Sequence, residues 1–433
     1  MNIKYFLRII CFFLFFLSIT SFFVGFYFEE NSAGAGGLGG DFKNTWKNLN
    51  TFLNYDLFSS LNFIKEGNRE FYISSRTPVL YFLNAKLNPF TYSIDAFIKS
   101  IFTFSLIGFL IFYISLLKKY RNTDKILLLL LSCSILISPY YRTSAFWGAE
   151  ENYGIISTIL AYLFFNFFNY KSKLSILFLF LTIFFSSLSV YLDQKLIIIP
   201  LLIFIDIFIV NNFNPKIKFF TFIFYLIFSI PFLYFIYSWK SVIPVGDSIV
   251  RGFGQKIFLH HPVYVSMIIA TYLLPLLIFK ENLIIKIKTS LNDKINLILF
   301  LLFIIYLLFV FFYSDLNVDI KYSKGAIFKL IYILFENNLL KKFLITAFSL
   351  FSFFIIIVFS EKKIIHLIFF FFLLISSIFI YPILQEYYDP ILIVVILLYF
   401  FEPKSIKINF INVIILFFYQ VLFLISANLY YQF

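Results

Sequence analysis

Charge is what this chain has least of. Only 13% of its 433 residues are Asp, Glu, Lys or Arg, while 61% are hydrophobic; a soluble domain carries about 25% charged residues. A water-soluble core cannot enclose so much apolar surface, which excludes a soluble globular fold and makes lipid the solvent. Cysteine is also scarce. Cys11 and Cys133 are the only two, and both fall inside apolar runs, which argues against a disulfide framework and leaves the redox compartment open. The chain has no phosphate-binding P-loop, dinucleotide fingerprint, zinc motif or nucleophile elbow, so nothing in it points to ATP-driven transport or soluble-cofactor chemistry. Internal repeats and Ser/Pro-rich linkers are missing too, and residues 1–433 read as a single integral membrane domain.

What is abundant is long apolar sequence. Thirteen runs, at 6–28, 97–117, 126–141, 153–169, 174–191, 195–211, 219–238, 262–279, 295–313, 343–360, 364–382, 390–401 and 410–429, fill most of the chain. A membrane span needs about 20 apolar residues. In lipid the backbone must satisfy its own polar groups, which leaves helices or closed barrels. The runs are continuous rather than alternating, so they read as helices. The expected fold is therefore all-α, a polytopic membrane bundle of about 13 helices with a large first external loop, residues 29–96. The runs 126–141 and 390–401 are short, and are expected to borrow flanking residues or tilt into a protein-lined cavity. The first run, preceded by Lys4 and Arg8, is nearer span length than the core of a secretory signal and reads as an uncleaved helix, although Ser32–Ala33–Gly34 offers small residues behind it. The 68 phenylalanines reflect biased composition on lipid-facing helices rather than a binding surface.

The formal net charge of +13 would suggest nucleic acid in a soluble protein. Here the cations sit in alternate short breaks: Lys118–Arg121, Lys171–Lys173, Lys216 with Lys218, Lys280–Lys294, Lys362–Lys363 and Lys404 with Lys407. Such breaks face the cytoplasm, which puts the N-terminus inside and the C-terminus outside and implies no nucleic-acid partner. The opposite breaks hold nearly all the carboxylates, from Glu29, Glu30 and Asp41 to Glu386 and Asp389. Acids weigh little in setting topology, so their segregation is an independent observation, and it places the chemistry on the external face.

The first external loop opens with Glu29–Glu30, a glycine-rich turn and Asp41. Phe42, Trp46, Leu49 and Leu53, then Leu57, Phe58, Leu61 and Ile64, recur at helical spacing and predict amphipathic helices lying in the membrane interface. Asp41 before a helix reads either as an N-cap or as a general base at the water–membrane boundary, and the two are compatible. Glu29 and Glu30 are either a solvated helix end or supports for Asp41 or a metal. The loop then runs through Ser74–Pro78, with Arg76 two residues before Pro78. The second external loop crowds Arg142, Trp147, Glu150 and Glu151 together; the paired Glu suits a divalent metal or, beside Trp147, sugar hydroxyls. Asp193–Gln194–Lys195 is squeezed between two runs. It is either a plain ion pair or, through Lys195, a phosphate site. Arg251, with Lys256, His260 and His261 in the loop 239–261, suits a phosphate or pyrophosphate; two His alone are a weak metal signal. Glu386, Tyr388 and Asp389 before Pro390 suit sugar binding or form an interfacial turn. Asp206, inside a run near its cytoplasmic end, either snorkels or pairs.

These features resemble the GT-C superfamily of membrane glycosyltransferases. Members share a many-helix bundle and a large first external loop with an essential acid early in it, matched by position at Gly39–Gly40–Asp41–Phe42. Ser138–Trp147 followed by Glu150–Glu151–Asn152, and Asp193–Gln194–Lys195, are similar to segments of the dolichol-linked glucosyltransferases of that superfamily; Glu386–Pro390 resembles tails in its bacterial branch. The likeness covers the whole architecture but only about forty residues closely. Many members carry an Asp–Asp or Asp–Glu pair just after the first span, where this chain has Glu29–Glu30. The resemblance implies a polyprenyl- or dolichyl-phosphate sugar as donor, a lipid, glycan or protein as acceptor, Asp41 as catalytic base, and a bacterial inner membrane with the site facing the periplasm. Glu29, Glu30, Arg76, Arg142, Trp147, Glu150, Glu151, Asp193, Lys195, Arg251, Glu386, Tyr388 and Asp389 are then the expected substrate-binding residues. Metal dependence varies in such families, and a divalent ion stays open. Two rivals remain. A lipid-linked glycan polymerase or ligase typically puts its large external loop late, and a transporter or flippase often shows repeated halves and broken helices at the midplane.

Overall fold

The computed structural model describes residues 3–30, 40–74, 76–148, 151–169, 171–211, 213–240, 244, 257–277, 283–314, 316, 324–360, 363–380, 383–401 and 410–429. Among them there are nineteen α-helices and no strand. Six helices are long and apolar enough to cross a membrane: Tyr5–Tyr27, Ile94–Lys119, Ser175–Leu192, Pro215–Trp239, Lys294–Tyr313 and Asn338–Ser360. Of the remaining seven expected runs, six are helical but shorter or interrupted and 410–429 is a helix of 20 residues, so a count of about thirteen spans goes beyond what helix length supports.

The described residues fall into two compact units. The first contains α1 (Ile3–Tyr27), α2 (Asp41–Asn54), α3 (Leu57–Lys65), α4 (Val79–Leu87), α5 (Ile94–Lys119), α6 (Lys125–Ser132), α7 (Pro139–Trp147), α8 (Glu151–Phe167), α9 (Ser175–Leu192), α10 (Ile198–Ile205) and α11 (Pro215–Trp239). The second holds α12 (His261–Leu277), α13 (Leu283–Leu291), α14 (Lys294–Tyr313), α15 (Ala326–Leu334), α16 (Asn338–Ser360) and α17 (Ile364–Ser376). The chain leaves it through α18 (Ile391–Val395) and ends in the first unit with α19 (Phe410–Leu429).

In the first unit α8 packs along α9, with α5 and α11 flanking them, while α1 packs on α6 and α7. In the second, α12 packs on α16, with α15 and α17 beside it. Local chemistry sets the helix ends. Asp124 and Asp293 sit in basic breaks, against the general segregation of acids, because they are caps: Asp124 accepts from the Ile126 amide, and Asp293 from those of Ile295 and Asn296. The run 126–141 divides because helix is disfavoured before Pro139. Ser138 caps α7 instead, accepting from the Tyr141 amide at 3.3 Å, with Pro139 at the first helical position. The run 195–211 begins as a 3-10 turn, Gln194–Ile197, and ends in a π turn, Asp206–Val210; α18 likewise runs into a π turn, Ile396–Phe400. In α11, Pro231 interrupts the backbone ladder. The Tyr191 hydroxyl wedges in one residue on, donating to Phe228 O at 2.5 Å and accepting from the Phe232 amide at 2.9 Å. It thereby satisfies the groups of an opened helical turn.

The amphipathic stripe of α2 is where expected, but its partner is protein rather than lipid. Phe42, Leu49 and Phe52 are buried against Tyr72, Tyr81, Phe97 and Ile101. The next helix, α3, keeps large apolar side chains outside, with Phe58 78% exposed. The strand-like segment after α3 is docked on α2 by polar pairing. Fully buried Asn48 donates to Ile73 O (3.1 Å) and accepts from Ile73 N (2.7 Å), while Thr51 Oγ1 donates to Phe71 O at 2.5 Å. Replacing Asn48 by Leu removes the partner of both backbone groups of Ile73, which are partly buried. It is expected to cost about 0.5–1.5 kcal/mol per hydrogen bond lost, read as a lower thermal midpoint of the purified protein. An unchanged midpoint would show the docking to be dispensable.

Candidate functional site

The end of α1 is the first fixed point. Glu29 adopts φ +53°. Its amide bonds to Phe26 O at 3.2 Å and that of Glu30 to Gly25 O at 2.8 Å, the helix-terminating pattern in which the left-handed residue is usually Gly. Here a glutamate takes it, exposed and strained. The turn aims the Glu30 carboxylate inward at Arg142, whose side chain is completely buried. Arg142 Nε donates to Glu30 Oε1 at 2.9 Å and Nη2 to Oε2, a two-pronged pairing. Its other N–H groups reach Ser21 O (2.9 Å) and Leu136 O (3.3 Å), and the Phe22 and Phe146 rings lie 5.9 and 5.4 Å from its carbon. Gly25 leaves the space: a Cβ there would meet Arg142 Nη2 at 2.5 Å and Phe146 at 2.9 Å. Trp147 donates from Nε1 to Glu30 O at 3.0 Å. Glu30, Arg142 and Trp147, expected among the substrate contacts, bind each other in this structure and fasten α1 to α7.

Four charged side chains gather beside this anchor at the start of α8. Arg76 pairs through Nη2 with Glu151 Oε1, and Lys195 Nζ lies 3.4 Å from Asp193 Oδ2. The simple Asp193–Lys195 pair is thus present, and Lys195 also acts on Glu151 electrostatically. Burial would push the Glu151 carboxyl up, but Arg76 and then Lys195 outweigh it and hold it down to about 2. Glu151 precedes the run expected to enter the membrane. It is an anion at neutral pH. Lys195 is the most exposed of the four, at 27%, and Asp193 the least, at 7%.

Several contacts hold this quartet. The Tyr72 hydroxyl donates to Arg76 O at 2.8 Å, and Thr77 Oγ1 donates to Tyr191 O. Gly154 brings α8 against the 193–196 turn, since a Cβ there would meet Leu196 at 2.7 Å and Asp193 Cβ at 3.2 Å. Asn152, completely buried, ties α8 to α5 and α7 through Ser105 Oγ (2.8 Å) and Tyr141 O (3.0 Å).

Gly40 occupies the N-cap position of α2 and Asp41 is the first helical residue, one place later than the cap reading expects. The side chain of Asp41 lies outside the described residues. Its neighbour Phe42 lies against Gly148, where the left-handed φ of +64° and the Phe42 and Phe97 rings (3.2 and 3.3 Å from a built Cβ) exclude a side chain. Gly148 follows Trp147 and precedes Glu151 by three residues. The α1 anchor, the start of α2 and the quartet therefore all adjoin the α7–α8 junction.

Glu150 and Arg251 lie outside the described residues. Glu386, Tyr388 and Asp389 belong to the second unit. There Gln385 Nε2 donates to the Tyr272 hydroxyl at 2.9 Å, and Tyr388 and Asp389 are each 2% exposed. His261 is buried, its Nδ1 3.1 Å from Ser377 O. Among the described residues no three of His, Cys, Asp and Glu gather as metal ligands, and Glu151 is committed to Arg76. The sequence reading passed over Gly25, Gly154 and Asn152, whose roles are to leave room or to tie helices. Only the adjacency of Asn152 to the Glu pair hinted at one of them. No family model matches the sequence, and no curated protein or solved structure matches it.

The strained glutamate offers a test. Glu29→Gly removes a left-handed side chain costing about 1–2 kcal/mol and should raise the thermal midpoint. A lower midpoint would mean that the Glu29 side chain holds the turn through contacts of its own.

Proposed function

We propose that the protein is a membrane glycosyltransferase that moves a sugar from a polyprenyl-phosphate donor to an acceptor hydroxyl at the external face, in a bacterial inner membrane facing the periplasm. The observation that carries this reading is the meeting, at the α7–α8 junction, of the start of α2 with its Asp41 and a partly buried group containing two cations. Six helices of spanning length supply the membrane setting.

In this mechanism the acceptor oxygen attacks the anomeric carbon. Its bond to that carbon forms as the carbon–phosphate oxygen bond breaks, its proton passes to Asp41, and the configuration inverts. Arg76 and Lys195, with the positive N-terminal end of α8, stabilise the charge gathering on the departing phosphate. The quartet is neutral as it stands, two cations against two carboxylates. Donor binding therefore draws Lys195 away from Asp193 or brings a divalent cation along with the phosphate. Arg142, with its N–H groups engaged around Glu30, positions α1 and α7 and does not touch the donor.

Transfer from a radiolabelled polyprenyl-phosphate sugar in detergent is the test. Asp41→Asn is expected to lower the rate by about 10²–10⁴-fold with insertion unchanged, and a normal rate excludes Asp41 as the base. Lys195→Ala should weaken the apparent donor affinity; if that affinity stays the same, the residue serves only its pair with Asp193.

A further inference from the structure

Away from this junction, the first unit contains a second buried polar centre that the proposed transfer does not use. Asp206 opens the π turn that ends the 194–210 helical segment, and Tyr399 lies in the π turn Ile396–Phe400. Such turns recur at functional sites. Each is closed by a bond across five residues: the Asn211 amide to Asp206 O and the Phe401 amide to Ile396 O, both 2.9 Å. The second is also held from outside, where Tyr120 Oη (2.5 Å) and Lys119 Nζ (3.2 Å) both donate to Leu397 O.

Asp206 is 6% exposed. Its Oδ1 accepts from Asn211 Nδ2 at 2.9 Å. The Tyr399 hydroxyl faces the carboxylate without reaching hydrogen-bonding geometry. The rings of Tyr399 and Tyr162 stack 5.3 Å apart, and Tyr162 is completely buried with its hydroxyl unpartnered. One turn further along α8, Asn166 Nδ2 is also buried and unpartnered. The titratable groups acting on Asp206 are Tyr162 from α8 and Tyr399, and Tyr225 from α11 acts on those two tyrosines. Among the described residues no Lys, Arg or His forms an ion pair with it.

A buried carboxylate without a counter-ion is costly, and unpaired hydroxyls beside it add to the cost. A water molecule would satisfy the hydroxyls but not the charge. We propose that the Asp206 centre is a monovalent-cation site, filled either by a proton on the carboxyl or by Na⁺ held between the carboxylate and the Tyr162 and Tyr399 oxygens. Buried acids and irregular helix turns at membrane depth serve this chemistry generally. The site stands independently of sugar transfer.

The test is the thermal midpoint of the full-length protein in nanodiscs between pH 5 and 9, with NaCl exchanged for choline chloride at constant ionic strength. If the cation is a proton, the wild-type midpoint changes with pH across this range and Asp206→Asn lacks that change. If it is Na⁺, sodium restores the wild-type midpoint at high pH and does nothing for Asp206→Asn. Equal responses of the two proteins to both pH and sodium overturn the proposal. Should Asp206→Asn fail to fold, Tyr399→Phe decides: the pH or sodium concentration of half effect moves by about tenfold, and a value that does not move is equally fatal.

Discussion

The first unit is organised around a single buried ion pair. Arg142 is fully enclosed, and its charge is tolerable only because Glu30 meets it on two prongs while backbone oxygens and ring faces surround the rest. Breaking a buried pair by removing one partner typically costs about 3–5 kcal/mol, because it leaves a charge uncompensated. Much else follows from this pair. Gly25 must be bare, the chain must turn left-handed at Glu29, and the indole of Trp147 must reach back to Glu30. The α7–α8 junction is fixed by these contacts, and with it the place where α2 begins and where Arg76 meets Glu151.

The rest of the unit handles unpaired backbone in the same economical manner. An apolar solvent offers no partner for an opened helical turn, and two of these irregularities are supplied with side-chain donors. Tyr191 fills the gap beside Pro231, and Tyr120 with Lys119 supports the π turn at Leu397. Tyrosine suits these positions because its ring belongs with the surrounding hydrocarbon while its hydroxyl serves the backbone.

Much of this was legible in the sequence. Apolar runs located the helices, and the stripe Phe42–Leu49 identified the buried face of α2. What the stripe could not say is whether protein or lipid covers it, since both are apolar. The division of 126–141 was written in Ser138–Pro139, but a hydropathy window averages over it. The π turns left no trace in the periodicity, because one extra residue per turn is invisible in an unbroken apolar stretch. For the site, proximity in sequence was informative where the partners are near, as in Asp193–Lys195, and silent where they are far, as in Arg76–Glu151 and Glu30–Arg142. Arg142 reads as a substrate-binding residue because sequence shows a charge but not its burial.

Tyr191 joins two of these themes. Its hydroxyl sits in the opened turn of α11, and its carbonyl receives Thr77, the residue after Arg76. The opened turn of α11 and the loop that carries the guanidinium facing Glu151 are thus fastened to one residue of α9, the first through its hydroxyl and the second through its backbone carbonyl.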